Sequence, residues 1–142
     1  MSSVQTEMNL IAFPHQQGEN PVEVDGKFFR LKGELWPLKG VAYGPFGQDP
    51  KIDAFASRER TLKDFELIRS AGFNALRVYH LPPQWFMDMA QDHALKLWID
   101  LQWGQHHAFL DSKRDRQKIR KDIAFKVRQI ANHSSIFALC IG

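Results

Sequence analysis

Apolar and polar residues recur along this chain in two periods, and the two periods take turns. Short runs that are apolar throughout or alternate with period two predict strands at Gly40–Tyr43, Asn74–Tyr79, Lys96–Trp103 and Ile136–Ile141. Between them, apolar residues at helical spacing predict helices over Leu62–Ser70, Gln84–His93 and about Ser112–Ala131. Strands that alternate with helices imply an α/β fold with a parallel sheet joined by crossovers. Ahead of these units, Val22-Glu23-Val24 leads through Asp25-Gly26 into Lys27-Phe28-Phe29-Arg30-Leu31, a hairpin signal. Val22–Leu38 is therefore expected to form a short β-ribbon that either closes the bottom of a barrel or belongs to a preceding sheet domain. Residues 1–21 mix Ser, Gln, Asn, Gly and Pro and are expected to form a flexible tail.

Local punctuation refines the helices. Thr61-Leu62-Lys63-Asp64 has the form of a capping box, with Asp in place of the usual Glu or Gln, and is expected to open the first helix. Gly72 is expected to close it. Pro82 and Pro83 suit the first turn of the second helix, where a missing N–H costs little. The stretch from Gly44 to Ser57, with Pro45, Gly47 and Pro50, is long enough to shape the rim of a cleft.

Alternation also sorts the side chains, because successive residues of a strand face opposite ways. Leu76 and Val78 share one face with Leu97, Ile99 and Leu101, suited to packing under helices. Ala75, Arg77 and Tyr79 share the other with Trp98, Asp100 and Gln102. An arginine on an interior face needs a carboxylate, and Asp100 on the next strand is the candidate. In parallel sheets chemistry gathers at the carboxyl ends of the strands. Those ends carry Tyr43, Arg77-Val78-Tyr79-His80 and Trp103-Gly104-Gln105-His106-His107. Trp103 offers an aromatic platform for a sugar ring. His80, His106 and His107 lack the spacing of a zinc site, so no metal and no cofactor is expected. His93 and His133 fall at helix ends and read as ordinary. Cys140, the only cysteine, lies in an apolar strand and reads as a small core residue.

Composition narrows the class. The 142 residues are 44% hydrophobic and 12% aromatic, enough for one packed unit and unlike a disordered chain. No run approaches the ~20 apolar residues of a membrane helix, and Met1–Pro14 lacks the pattern of a secretory signal, so a cytoplasmic location is the default. The net charge of +3 is concentrated between Lys113 and Arg128. Such a concentration suits nucleic acid or an acidic membrane surface, but with Ile119, Ile123, Val127 and Ile130 forming a buried stripe, those charges read as the solvated outer face of a crossover helix. Nucleic acid is not an expected partner, since the basic face is read as lacking the interleaved aromatic side chains that stack on bases.

Two stretches carry a family resemblance. Ala71-Gly72-Phe73-Asn74-Ala75-Leu76-Arg77-Val78-Tyr79-His80, with Pro82 after it, resembles the second-strand signature of the catalytic barrel in glycoside hydrolase family two. Asn132-His133-Ser134-Ser135-Ile136 followed by Leu139-Cys140-Ile141-Gly142 resembles its fourth-strand signature, with Ser134 where that family usually has proline. The resemblance covers about Val22 to Gly142. It implies the N-terminal half, about four βα units, of a (β/α)8 TIM barrel preceded by the ribbon, truncated after strand four, and retaining hydrolysis or transglycosylation of β-linked glycans when full length. It implies that Arg77 supports the nucleophilic glutamate of a later strand, and that His80, Trp103, Gln105 and His106 contact the carbohydrate; Tyr43, at the carboxyl end of the first strand, is expected among these contacts from its position. The acid/base glutamate is expected just after Gly142, so no catalytic carboxylate falls within this chain, which is expected to be inactive alone. Pro82-Pro83-Gln84-Trp85, Trp103-Gly104-Gln105-His106 and Phe109-Leu110-Asp111 also resemble bacterial proteins in which such a barrel is fused to a family-two glycosyltransferase. The alternatives are a glycan-binding or processivity module in such a fusion, or a self-standing open α/β domain without sugar chemistry. The expected partners are a carbohydrate and, for the sheet, the remainder of the barrel or a second copy.

Overall fold

The structure, a computed structural model, describes residues 21–47, 54–102, 108 and 110–141. Seven strands and three helices follow in the order β1 (Val22–Asp25), β2 (Phe28–Leu31), β3 (Glu34–Leu35), β4 (Gly40–Ala42), α1 (Arg58–Ser70), β5 (Ala75–Val78), α2 (Gln84–Asp92), β6 (Lys96–Leu101), α3 (Lys113–Ile130) and β7 (Ile136–Ile141). Strands β1 to β3 form an antiparallel sheet, and β4 to β7 a parallel one in sequential order. The mixed α/β architecture with a parallel sheet is thus as expected. Phe65 of α1, Phe86, Met87 and Ala90 of α2, and Val127 and Ile130 of α3 join Leu76, Val78, Leu97, Ile99 and Leu101 in one core. All three helices therefore cover the same face of the parallel sheet. A doubly wound sheet reverses its strand order and carries helices on both faces; this one does neither.

Helix α1 starts at Arg58, earlier than the expected Leu62. Ser57 is its cap, its side chain accepting the Arg60 N–H at 3.3 Å. Thr61 is a fully buried residue inside the helix, and Asp64 accepts the Tyr43 hydroxyl at 2.8 Å, so neither belongs to a capping box. The first turn, Arg58-Glu59-Arg60, is charged throughout and leaves no apolar period to read. Gly72 does follow the helix as expected: at φ +88 it occupies the left-handed region one residue beyond Ala71. Pro82 and Pro83 precede the first turn of α2 rather than filling it. Pro83 is extended, and its carbonyl receives the Phe86 and Met87 N–H groups; the residue before a proline is barred from the helical region, which pushes Pro82 out of the turn.

The ribbon packs against the parallel sheet. Phe29 and Trp36 meet Phe137 edge-on at 5.9 and 5.4 Å between ring centroids, and Trp98 meets Phe137 at 6.1 Å. Phe137 lies near the start of β7, so the ribbon sits at the amino-terminal end of the strands. Asn74 fastens the same end. Its side-chain oxygen accepts the Lys39 N–H and its amide donates to the Pro37 carbonyl, both at 2.8 Å, while its own carbonyl accepts the Lys96 N–H. No helix among the described residues is long and apolar enough to cross a membrane.

Candidate functional site

The face of the sheet away from the helices carries the polar chemistry. Arg77 on β5 grips Asp100 on β6 with two bonds, Nε to Oδ1 at 3.2 Å and Nη2 to Oδ2 at 2.7 Å. Register explains the match: Arg77 pairs with Trp98, placing Asp100 two residues further toward the carboxyl end on the same face. The pairing expected from alternation is therefore present. Asp100 is nearly enclosed, at 13% side-chain exposure, while Arg77 is half open at 47%. The Asp100 hydrogen bonds, and then its charge, hold Arg77 protonated beyond the ordinary arginine range. The guanidinium also lies 5.2 Å from the Tyr79 ring centroid and 5.9 Å from that of Trp98. Side-on pairing through Nε and Nη2 leaves Nη1 without a partner among the described residues, directed to a second acceptor only by whatever else approaches the face.

An irregularity in β7 completes the face. Leu97 pairs with Ile136 but Trp98 with Ala138, so Phe137 is the extra residue of a bulge. The shift keeps Leu139 opposite Ile99 on the helix side and sets Cys140 opposite Asp100 on the open side. Trp98 Nε1 is buried on this face with no hydrogen-bond partner among the described residues.

Of the residues expected to contact carbohydrate, Tyr43 is placed elsewhere. It is 7% exposed in the helix-side core, edge-on to Phe46 and Phe65 and tilted against Phe86. Burial, helped by the neighbouring Asp64 carboxylate, pushes its phenol up to about 12. Alternation put Tyr43 at a strand's end but could not show that the strand stops at Ala42 and turns the next side chain under α1. His80 lies half-buried in the bend after β5. Trp103, Gln105 and His106 lie outside the described residues, as do His107 and Gly142, so the structure brings together only Arg77, Asp100, Tyr79 and Trp98.

A second polar cluster was not anticipated. At the amino-terminal end of β7, His133 Nδ1 lies 2.8 Å from Ser135 Oγ and accepts the Ser135 N–H, and Nε2 lies 3.0 Å from Asp88 on α2. The His133 and Gln84 hydrogen bonds hold the Asp88 carboxyl below its usual range. Ser134 donates to Gln91 at 2.6 Å, and Lys96 donates to the Ser134 carbonyl. The Ser–His–Asp order is that of a nucleophile relay, but Ser135 is 1% exposed and no substrate can reach its hydroxyl. The cluster clamps α2 to the start of β7. Four consecutive polar residues, Asn132–Ser135, were the available signal.

No family model matches the sequence, and no curated protein matches it. Solved structures do. A β-glucuronidase of Bacteroides uniformis aligns over 86% of this chain with a TM-score of 0.63 and 20% identity. A β-D-mannosidase of Dictyoglomus thermophilum aligns over 85% (TM-score 0.62, 20% identity), and the exo-chitosanase of Amycolatopsis orientalis over 87% (TM-score 0.66, 16% identity). The class these likenesses define is one of fold: most of this chain has the fold of part of each enzyme. The chain spans only 14%, 16% and 15% of those three proteins, respectively.

Proposed function

We propose that this chain is the first half of a (β/α)8 barrel that, in a full-length protein, cleaves or transfers β-linked glycosides with retention. The observation that carries the reading is the half-open Arg77 fork on the open face of a sequentially ordered sheet, in a fold shared with several β-glycosidases. Retaining cleavage uses two carboxylates ~5 Å apart, one as nucleophile and one as acid then base. Arg77 is suited to orient the nucleophile. Asp100 fixes one side of its guanidinium, and Nη1 remains for a carboxylate from a later strand. That second acceptor would stay ionised beside a fixed positive charge. His80, Trp103, Gln105 and His106 would contact the sugar, and both glutamates would come from sequence beyond residue 142. The Bacteroides uniformis glucuronidase is covalently bound to a cyclophellitol-6-carboxylate aziridine, and a covalent sugar adduct is what a double-displacement site forms.

The test is kinetic. The full-length protein is expected to turn over aryl β-glycosides, and proton NMR of the first-formed sugar to show the β anomer. Arg77→Lys keeps the charge but loses the planar fork. It is expected to lower kcat/KM on the order of 10²-fold, the cost of misplacing a catalytic group by about an ångström, with an unchanged melt. Absence of turnover across aryl β-glycosides, or unchanged kinetics in the variant, would overturn the reading; so would turnover by the 142-residue chain alone.

A further inference from the structure

Helix α3 carries a feature unrelated to the Arg77 face. Arg114, Lys118, Lys121, Phe125 and Arg128 follow one another at spacings of four, three, four and three residues, so they form a single line along the helix. All five are exposed. The line runs opposite the stripe of Ile123, Val127 and Ile130 that meets the core, and extends about 21 Å at the α-helical rise. Phe125, 62% exposed, sits within a row of cations. The expectation that no aromatic residue interleaves with the basic face is therefore corrected.

Of the four basic residues off this line, Lys113 and Arg120 are exposed on the flank of the helix, and Arg116 and Lys126 are held by neighbours. Lys126 pairs with Asp122 at 2.7 Å and donates to the Gln102 carbonyl, while Arg116 donates to the Leu110 carbonyl. Arg114, Lys118, Lys121 and Arg128 make no ion pair among the described residues. The acids beside them, Asp115 and Asp122, lie on the flank, and Asp122 is already paired. Four cations in a straight row, without an ion pair among the described residues, gain little for folding, and an exposed phenylalanine among them gains no more.

We propose that this outer face of α3 docks on an anionic lipid bilayer. A straight row on the convex side of a helix can touch a flat surface at every position at once. A bilayer interface also meets both chemistries, with acidic headgroups for the four cations and an apolar layer just beneath for Phe125. Nucleic acid would take the cations but offer one isolated phenylalanine only an unpaired base. Charge complementarity together with the central aromatic favours the lipid surface.

Flotation of the full chain with vesicles on a density gradient, which leaves self-associated protein at the bottom, decides the matter. Binding is expected to vesicles of phosphatidylcholine with phosphatidylserine, absent with phosphatidylcholine alone, and weakened by salt as surface charges are screened. Lys118→Glu/Lys121→Glu is expected to lower partitioning at least about 30-fold, each cation near a charged surface being worth roughly fivefold. Phe125→Ala is expected to lower it severalfold. Lys27→Glu/Lys63→Glu makes the same change in net charge away from the row and is expected to leave binding intact. All five side chains are exposed, so the variants should melt with the parent. Equal loss in both charge-reversal pairs, no binding to acidic vesicles, or preference for a single-stranded oligonucleotide over those vesicles would each overturn the proposal.

Discussion

The two faces of the β4–β7 sheet come from the same strands, one residue out of step, and they are finished to different degrees. On the helix side Leu76, Val78, Leu97 and Ile99 have no exposure at all, and Phe65 and Phe86 close over them edge to face at 5.2 Å. Polar groups there are satisfied: Tyr43 reaches Asp64, and His133 reaches both Asp88 and Ser135. On the other side Arg77 is half open, Trp98 Nε1 has no partner among the described residues, and aromatic packing is confined to the end that the ribbon covers. Native interiors leave few buried polar groups unpaired. One face is thus a completed core, and the other has the composition of an interior without the cover of one.

If that contrast is correct, its largest consequence is for the state of the whole chain. A complete barrel has no sheet edges, whereas β4 and β7 here are edges among the described strands. The run Phe137-Ala138-Leu139-Cys140-Ile141 has neither charge nor proline to discourage pairing. The purified 142-residue chain is expected to self-associate, burying β7 and the open face, when followed by light scattering across micromolar concentrations. A sharp monomer with a cooperative melt would show that the open face is stable in water, and the contrast would fail.

Single substitutions sharpen the comparison on a smaller scale. Phe86→Ala removes a fully buried ring on the helix side and is expected to cost about 3–5 kcal/mol in chemical denaturation. Trp98→Phe on the open face deletes a buried N–H that has no partner among the described residues, and is expected to change stability by less than about 1 kcal/mol. Comparable losses at the two positions would mean that both faces are equally finished.

What the sequence showed of this division follows from periodicity. Alternation alone assigned Leu76, Val78, Leu97, Ile99 and Leu101 to one face and Arg77, Trp98 and Asp100 to the other, because a strand admits only two sides. It also supplied the Arg77–Asp100 pair, since neighbouring parallel strands bring the same face into register. It did not show where β4 ends, and so set Tyr43 among the sugar contacts when its ring lies in the core. The charged first turn of α1 hid its start, and Thr61 imitated a cap while facing inward. The bulge at Phe137 was illegible too, because an extra residue leaves no mark in a run that is apolar throughout. Phe125 was overlooked because its role depends on a line along the helix surface rather than on its immediate neighbours. Of the residues of the proposed sugar site, Arg77 lies on the face that alternation assigned to it, whereas Trp103, Gln105 and His106 fall outside the described residues.

Tyr43 tests the finished face most finely, through the pH dependence of a single hydroxyl. Near neutrality its bond to Asp64 makes Tyr43→Phe the less stable protein, by about 1 kcal/mol for one buried hydrogen bond. The folded phenol titrates near 12 instead of the usual 10.0, chiefly because burial penalises its anion, with the Asp64 carboxylate adding to the shift. A group whose folded pKa is raised contributes its stability fully below the unfolded value and loses it as pH climbs toward the folded one. Between pH 10 and 12 the unfolded chain releases the proton while the folded chain holds it. The parent should therefore lose about 1.4 kcal/mol per pH unit relative to the variant. The difference between them is expected to shrink above pH 10, vanish within about one unit and then reverse, in paired urea titrations across that range. Parallel curves for parent and variant would show that the phenol reaches solvent, and that the helix-covered face is less completely closed than its packing indicates.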